Sequence, residues 1–247
     1  KAYREAYGTT EEDIGRVSVK AYANANRNPL AHMQAVKMTL EQAGSINDRN
    51  PAFLANEELH DYMKISDCSQ VSDGGSALIA VSEEGLKKLG KTPADAIELV
   101  ALSHATGNLY EDGDPLELTT TVTAARRAFH AAGLRSTDIG VAEVHDCFTL
   151  TELLMYEALG FAEKGQAIEL VREGRTEIDG DTPVNTGGGL VGFGHPVGAT
   201  GVKQILEVYR QMKGQCGDYQ IATPPTIGLT ANMGGDDKTV VVGLFRA

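Results

Sequence analysis

The sequence predicts an α/β fold in which mixed sheets are covered by helices. Three observations carry that expectation: short apolar runs of strand length alternate with stretches of helical period, the chain closes on a final pair of strands, and the composition supports a real core. With 42% apolar and 23% charged residues over 247 positions, the chain can bury one large core or two modest ones.

The elements follow in order. Residues 10 to 44 read mostly as helix. Thr10 and Asp13 can form a capping box, Ile14, Val17 and Tyr22 share a face, and Met33, Val36, Met38 and Leu40 resume an apolar pattern around Pro29. A loop rich in Asn, Asp and Pro spans 45 to 52. After a glycine pair, the compact apolar run 77–81 has the character of a buried strand, and a short helix starts at Gly85. A strand is expected over 97–103. A long helix over 115–133 should face the core with Leu118, Val122, Ala125 and Phe129. A strand over 139–144 ends at His145, and a helix over 149–160 carries Leu150, Leu153, Leu154 and Leu159. Polar residues then run to Asp181. The segment 185–201 is so dense in glycine that it reads as a loop of unusual backbone geometry. A helix over 202–213 turns Ile205, Leu206 and Tyr209 inward, and strands over 226–232 and 239–245 flank MGGDD.

Charge and cysteine usage narrow the function. A net charge of -12 gives the chain no general attraction to nucleic-acid or membrane phosphates. No run of about 18 apolar residues is present, so no membrane span is expected. The first ten residues, KAYREAYGTT, lack the features of a signal or transit peptide. Cys68, Cys147 and Cys216 are too few and too scattered for a disulfide framework or a structural zinc site. A reducing, intracellular compartment fits, cytoplasmic by default, with mitochondrion and peroxisome as alternatives.

The strongest local signal is GGGLVGFGHPVGATG at 187–201, where His195 is followed by Pro196 and held among glycines just before a helix. Glycine lets a ligand approach backbone closely, and the proline fixes the chain beside the histidine. Two alternatives stand beside a catalytic reading: a tight turn carrying a surface histidine, and a nucleotide-binding loop through Gly192, Gly194 and Gly198, whose spacing lacks the G-x-G-x-x-G register. The second signal is Val144-His145-Asp146-Cys147-Phe148, at the C-terminal end of a strand and before a helix, where ligands bind in open α/β sheets. A helix start favours the thiolate of Cys147; the plainer reading is a small buried residue. Asp146 reads as a helix cap or a ligand. A metal site from His145, Cys147 and His195 is a further alternative without an evident fourth ligand. His32, His60 and His130 read as structural or surface residues, nothing pairs with His104, and Cys68 and Cys216 lack a polar context.

On these residues the chain resembles the thiolase superfamily, specifically the sterol-carrier-protein type. GFGHPVGATG is similar to the family's GHP block, HDCF marks the sterol-carrier-protein group, and NMGG at 232–235 stands where other members carry a Cys-x-Gly-Gly motif. DCSQVSDGGSALI and YGTTEEDIGRVSVKAYANANRNP resemble upstream family segments. The resemblance implies a thiolase-like fold, layered αβαβα when complete, with residues 1–115 forming the end of the first core domain and part of the loop domain, and 116–247 a second core domain. It implies a reversible acyl transfer between a 3-oxoacyl-CoA and coenzyme A as co-substrate, with no tightly bound cofactor and no metal. His195 would activate the nucleophile and help bind the oxyanion, Cys147 would act as acid/base, His145 would orient an oxyanion-binding group or water, and Gly235 would supply a backbone donor. Ser69 and Gly194 would lie against the coenzyme A arm. The family's nucleophilic cysteine matches none of the three here, so the resemblance places it outside this segment. It implies a homodimer; a separate chain supplying the missing N-terminal half, or a non-catalytic subunit that binds coenzyme A esters, are the alternatives.

Overall fold

The computed structural model describes residues 1–247. Nine helices and four strands follow in the order α1 Ala2–Tyr7, α2 Glu11–Arg27, α3 Leu40–Ala43, α4 Glu83–Lys88, β1 Glu98–Thr106, α5 Thr119–Ala132, β2 Val141–Val144, α6 Thr149–Ala158, α7 Ala167–Arg172, α8 Gly189–Phe193, α9 Thr200–Met212, β3 Ile227–Gly234 and β4 Thr239–Arg246. The strands form one mixed sheet in the order β1-β4-β3-β2. The β1–β4 and β4–β3 pairs are antiparallel and β3–β2 is parallel. Helix α5 packs on β1 and β4, and α9 on β2 and β3. The expected α/β architecture is present, and no helix is long and apolar enough to cross a membrane.

Helix α2 begins as its sequence dictates. Thr10 accepts from the Asp13 amide and Asp13 answers to the Thr10 amide, and Ile14, Val17, Ala21 and Tyr22 are buried along one face. Ile14 and Val17 join Leu153, Tyr156, Ala142, Leu229 and Leu244 in a single apolar cluster, so the first helices share the core of the sheet. Inside it Lys20, 1% exposed, bonds the Glu152 carboxylate and the Tyr156 hydroxyl. A charge so placed requires such a partner.

Four expectations are corrected. Helix α2 stops at Arg27, and turns fill 28–36. Val36 there is exposed, because Pro29 and the Asn28 side chain, which bonds back to the Leu30 amide, end the helix. The run 77–81 is not a strand: no sheet neighbour pairs with it, and Leu78 and Ile79 are 44% and 80% exposed. An apolar run forms a buried strand only where another strand offers hydrogen bonds. Helix α5 begins at Thr119 rather than 115 because its cap comes from far along the chain, Asp237 accepting from the amides of Thr120 at 2.7 Å and Thr121 at 3.0 Å. The glycine segment is not all loop, since α8 lies inside it.

Candidate active site

Parallel pairing of β2 and β3 aligns Val144 with Ala231, so the next residues, His145 just past the end of β2 and Asn232 still within β3, stand side by side. The Asn232 amide nitrogen lies 3.2 Å from Nδ1 of His145 and 3.0 Å from Oε1 of Gln204 on α9. The His145 and His195 rings meet edge to face, 5.1 Å between centroids at 88°. The two sequence signals, 50 residues apart, thus converge on one point.

Asp146 holds them there. Fully buried, it accepts from the Leu190 amide at 2.7 Å and the Val191 amide at 3.3 Å. It is therefore a helix cap, as one sequence reading had it, but of α8 rather than of the helix that follows it in sequence. Gly189 must be glycine: its φ is +59°, and a Cβ there would stand 2.2 Å from Oδ2 of Asp146. Burial, then the neighbouring Glu152, pushes the Asp146 carboxyl well above the usual carboxylate range, against the pull of the two amides. Asn185, at φ +55°, opens the glycine segment and ties it to β2, its Oδ1 accepting from the Val144 amide at 2.9 Å and its Nδ2 donating to Glu152.

His195 is fixed on both sides. Its backbone amide donates to the Gln70 carbonyl at 2.9 Å, and its Nδ1 lies 2.7 Å from the Thr200 hydroxyl. That hydroxyl has one proton and donates it to the Pro196 carbonyl at 3.2 Å. Satisfying both bonds makes His195 Nδ1 the donor and leaves Nε2 with a free lone pair. Burial lowers the His195 pKa below its ordinary value, so the ring is a neutral base at pH 7. His145, 7% exposed, is pushed further down, to about 4, by burial and then by His195.

Cys147 is partly buried, with Sγ 3.8 Å from the Thr151 hydroxyl. The helix start does not win here: burial pushes the thiol up, and the Thr151 contact offsets only part of that. Cys68 and Cys216, both buried, are pushed up to about 12 by burial.

Ser69 donates its backbone amide to the Cys147 carbonyl at 2.9 Å, so the strap 68–71 runs from the HDCF segment to His195. Gly194, at φ +115°, faces the Ser72 hydroxyl, which also meets Nδ1 of His32 at 2.8 Å. His32 is thus beside the glycine segment rather than a bystander. His104, for which the sequence offered no partner, meets Thr239 across the β1–β4 pair at 3.0 Å. Gly235 sits in the turn after β3 at φ +62° and makes no hydrogen bond with the histidine pair. No group of three or more His, Cys, Asp or Glu side chains is arranged to hold a metal ion. A cleft of about 750 Å³ is lined by Ser72, Phe193, Gly194, Pro196, Thr200 and Lys203 among others, but not by His145, His195 or Cys147.

Thr200, Asn185 and Gln204 were not singled out from the sequence. Thr200 had a readable signal, a hydroxyl five residues beyond His195 at the start of the following helix; Asn185 and Gln204 act through contacts that only the fold creates.

A family model described as "Thiolase C-terminal domain-like" matches residues 101–245. The chain is 39% identical over 239 residues to an acetyl-CoA acetyltransferase of Methanothermobacter thermautotrophicus, covering 97% of this chain and 59% of that protein. It is 32% identical over 251 residues to sterol carrier protein 2 of Homo sapiens, covering 100% of this chain and 43% of that protein. A solved structure described as "Ltp2-ChsH2(DUF35) aldolase" superposes with a TM-score of 0.84 at 27% identity, covering 100% of this chain and 61% of that one. The chain therefore spans 43% to 61% of the lengths of these proteins.

Proposed function

This chain belongs to the thiolase family through a C-terminal domain of the sterol-carrier-protein type, and on that premise we propose that it is the acid/base half of an acyltransferase acting on acyl-CoA thioesters. The reaction is 3-oxoacyl-CoA plus coenzyme A to acyl-CoA plus acetyl- or propionyl-CoA, or the reverse Claisen condensation. The observation that carries the reading is the edge-to-face His145–His195 pair, with Cys147 two residues beyond His145 in the chain.

In this proposal His195 Nε2, with its free lone pair, takes the proton of a thiol as it becomes a nucleophile. The attacking cysteine lies outside this segment; Cys68 and Cys216, held protonated by burial, are unsuited to it. Cys147 moves the proton at the substrate's α-carbon or on the departing coenzyme A thiol. Its raised pKa suits that task, because a thiolate formed there is a stronger base toward a weakly acidic C–H. His145 and the backbone amide of Gly235 serve the thioester oxyanion. Ser69 and Gly194 flank the coenzyme A arm, which is a co-substrate, with no resident cofactor. A homodimer, a division of the chain at 115/116, and a place in fatty acid metabolism belong to the same proposal.

A second reading has one observation in its favour: the superposing solved structure is described as an aldolase together with a DUF35 component. In it the chain acts on coenzyme A esters only with a partner chain. Solvent deuterium incorporation into the methyl group of acetyl-CoA separates the readings. The complete protein should exchange, and Cys147→Ala should slow exchange by about 10²-fold or more. Exchange unaffected by Cys147→Ala would sink the assignment, and exchange that requires an added partner chain would favour the second reading.

A further inference from the structure

Lys203 lies on α9, three residues after the Thr200 that anchors His195, and is 7% exposed. Its ammonium stands 3.2 Å from Oε2 of Glu143 and 4.4 Å from the centre of the Phe193 ring. Glu143, 1% exposed, is on β2 two residues before His145, and Phe193 ends α8 two residues before His195. One cation thus touches both of the segments that bring the histidine rings together. The contact is selective. Glu207, one turn further along α9 and also buried, makes no ion pair with Lys203 and meets Arg210 instead, at 4.0 Å. Glu143 Oε1 has no partner, so Lys203 is the side chain that holds this carboxylate. The Phe193 carbonyl accepts from the His32 amide at 2.8 Å, so its backbone is tied to the turn after α2 and its ring to Lys203. A buried ammonium needs a carboxylate or an aromatic face, and here it has both. Burial opposes the Lys203 charge, but Glu143 and Glu207 outweigh it and raise the pKa. Burial also pushes the Glu143 carboxyl up to about 7, and either form of that carboxyl accepts from an ammonium.

Asp146 joins the end of β2 to the start of α8 through the amides of Leu190 and Val191. We infer that Lys203 is a positioning residue that makes a second join, from β2 to the end of α8, and so sets the separation of the His145 and His195 rings. Two joins at opposite ends of a five-residue helix fix its tilt as well as its place, whereas Asp146 alone would fix only its start. This inference deepens the acyl-transfer reading and rests on it for the effect on rate, but the ring separation itself can be read without turnover.

The test separates position from stability, in the complete protein at pH 8. Lys203→Met alone strands Glu143 without its partner and should lower the urea midpoint. Lys203→Met/Glu143→Gln removes both charges and should bring the midpoint back near the wild-type value, since a buried pair removed as a whole is often close to neutral. If Lys203 only stabilises the fold, this double variant recovers activity along with stability. If it positions the rings, the double variant keeps KM within about twofold yet loses about 10- to 10²-fold in kcat for acetoacetyl-CoA thiolysis. Its crystal structure should then show the ring centroids further apart than 5.1 Å. Phe193→Leu leaves the ion pair in place and reads the ring contact by itself, so it decides the matter even where the double variant fails to fold; kcat should fall about threefold or more. A stable double variant with unchanged ring separation, or Phe193→Leu with the wild-type kcat, would overturn the inference. Wild type without acyl transfer, but with a separation that widens in the double variant, would instead overturn the functional reading alone.

Discussion

Asp146→Ala tests whether the HDCF segment and the glycine segment are held in register by one side chain. The substitution removes a fully buried carboxylate and orphans the amides of Leu190 and Val191, which it meets at 2.7 and 3.3 Å. An unmade buried hydrogen bond costs about 1–3 kcal/mol. The short bond should sit near the top of that range and the long one near the bottom. The removed volume adds a cavity, offset by relief of burying an acid whose pKa is raised. The net expectation is a loss of about 3 kcal/mol, which at a urea slope near 3 kcal/mol per M moves the unfolding midpoint by about 1 M. Urea unfolding followed by circular dichroism at pH 7 reads this, with Asp146→Asn as the control that keeps one acceptor and should lose about half as much. Because α8 carries the chain into His195, activity in Asp146→Ala should fall further than stability alone explains. A midpoint shift below about 0.2 M would refute the clamp.

Two other outcomes follow from buried charge. Lys20→Met leaves Glu152 uncompensated within the core and should cost about 3–5 kcal/mol, seen in the same urea assay, whereas the double variant Lys20→Met/Glu152→Met should recover a large part of it. His145 binds its proton less well folded, near 4, than unfolded, near 6.5. The unfolded state therefore holds more protons between those values, stability rises with pH through that window, and it falls as pH drops from about 6.5 towards 4. The single-site contribution is about 3 kcal/mol; His145→Asn should flatten that part of the profile, and an unchanged profile would assign the loss to other groups.

Much of this was legible in the sequence, for identifiable reasons. The capping box of α2 is written in Thr10 and Asp13, and β2, β3 and β4 are written in apolar runs, so local chemistry and fold agree there; α9 forms where expected but buries Lys203, Gln204, Glu207, Val208 and Gln211, leaving Ile205, Leu206 and Tyr209 only partly buried. Glycine density and strand-end placement pointed to His195 and to the His145 segment, and the fold brings those two histidine rings together. What stayed hidden depends on distant partners. Asp237 begins α5 from 116 or more residues away, the exposed run at 77–81 has strand character without a strand to pair with, and Asp146 caps a helix 44 residues on. The rise in the Cys147 pKa was hidden too, because a dipole can be read from sequence position while the depth of burial cannot.

The most direct test of the account is the rate at which the complete protein cleaves acetoacetyl-CoA with coenzyme A, compared between wild type and His195→Ala of verified fold. Loss of a positioned general base predicts a fall of about 10²- to 10⁴-fold in the variant. Turnover within twofold of wild type would contradict the assignment of His195, and with it the site.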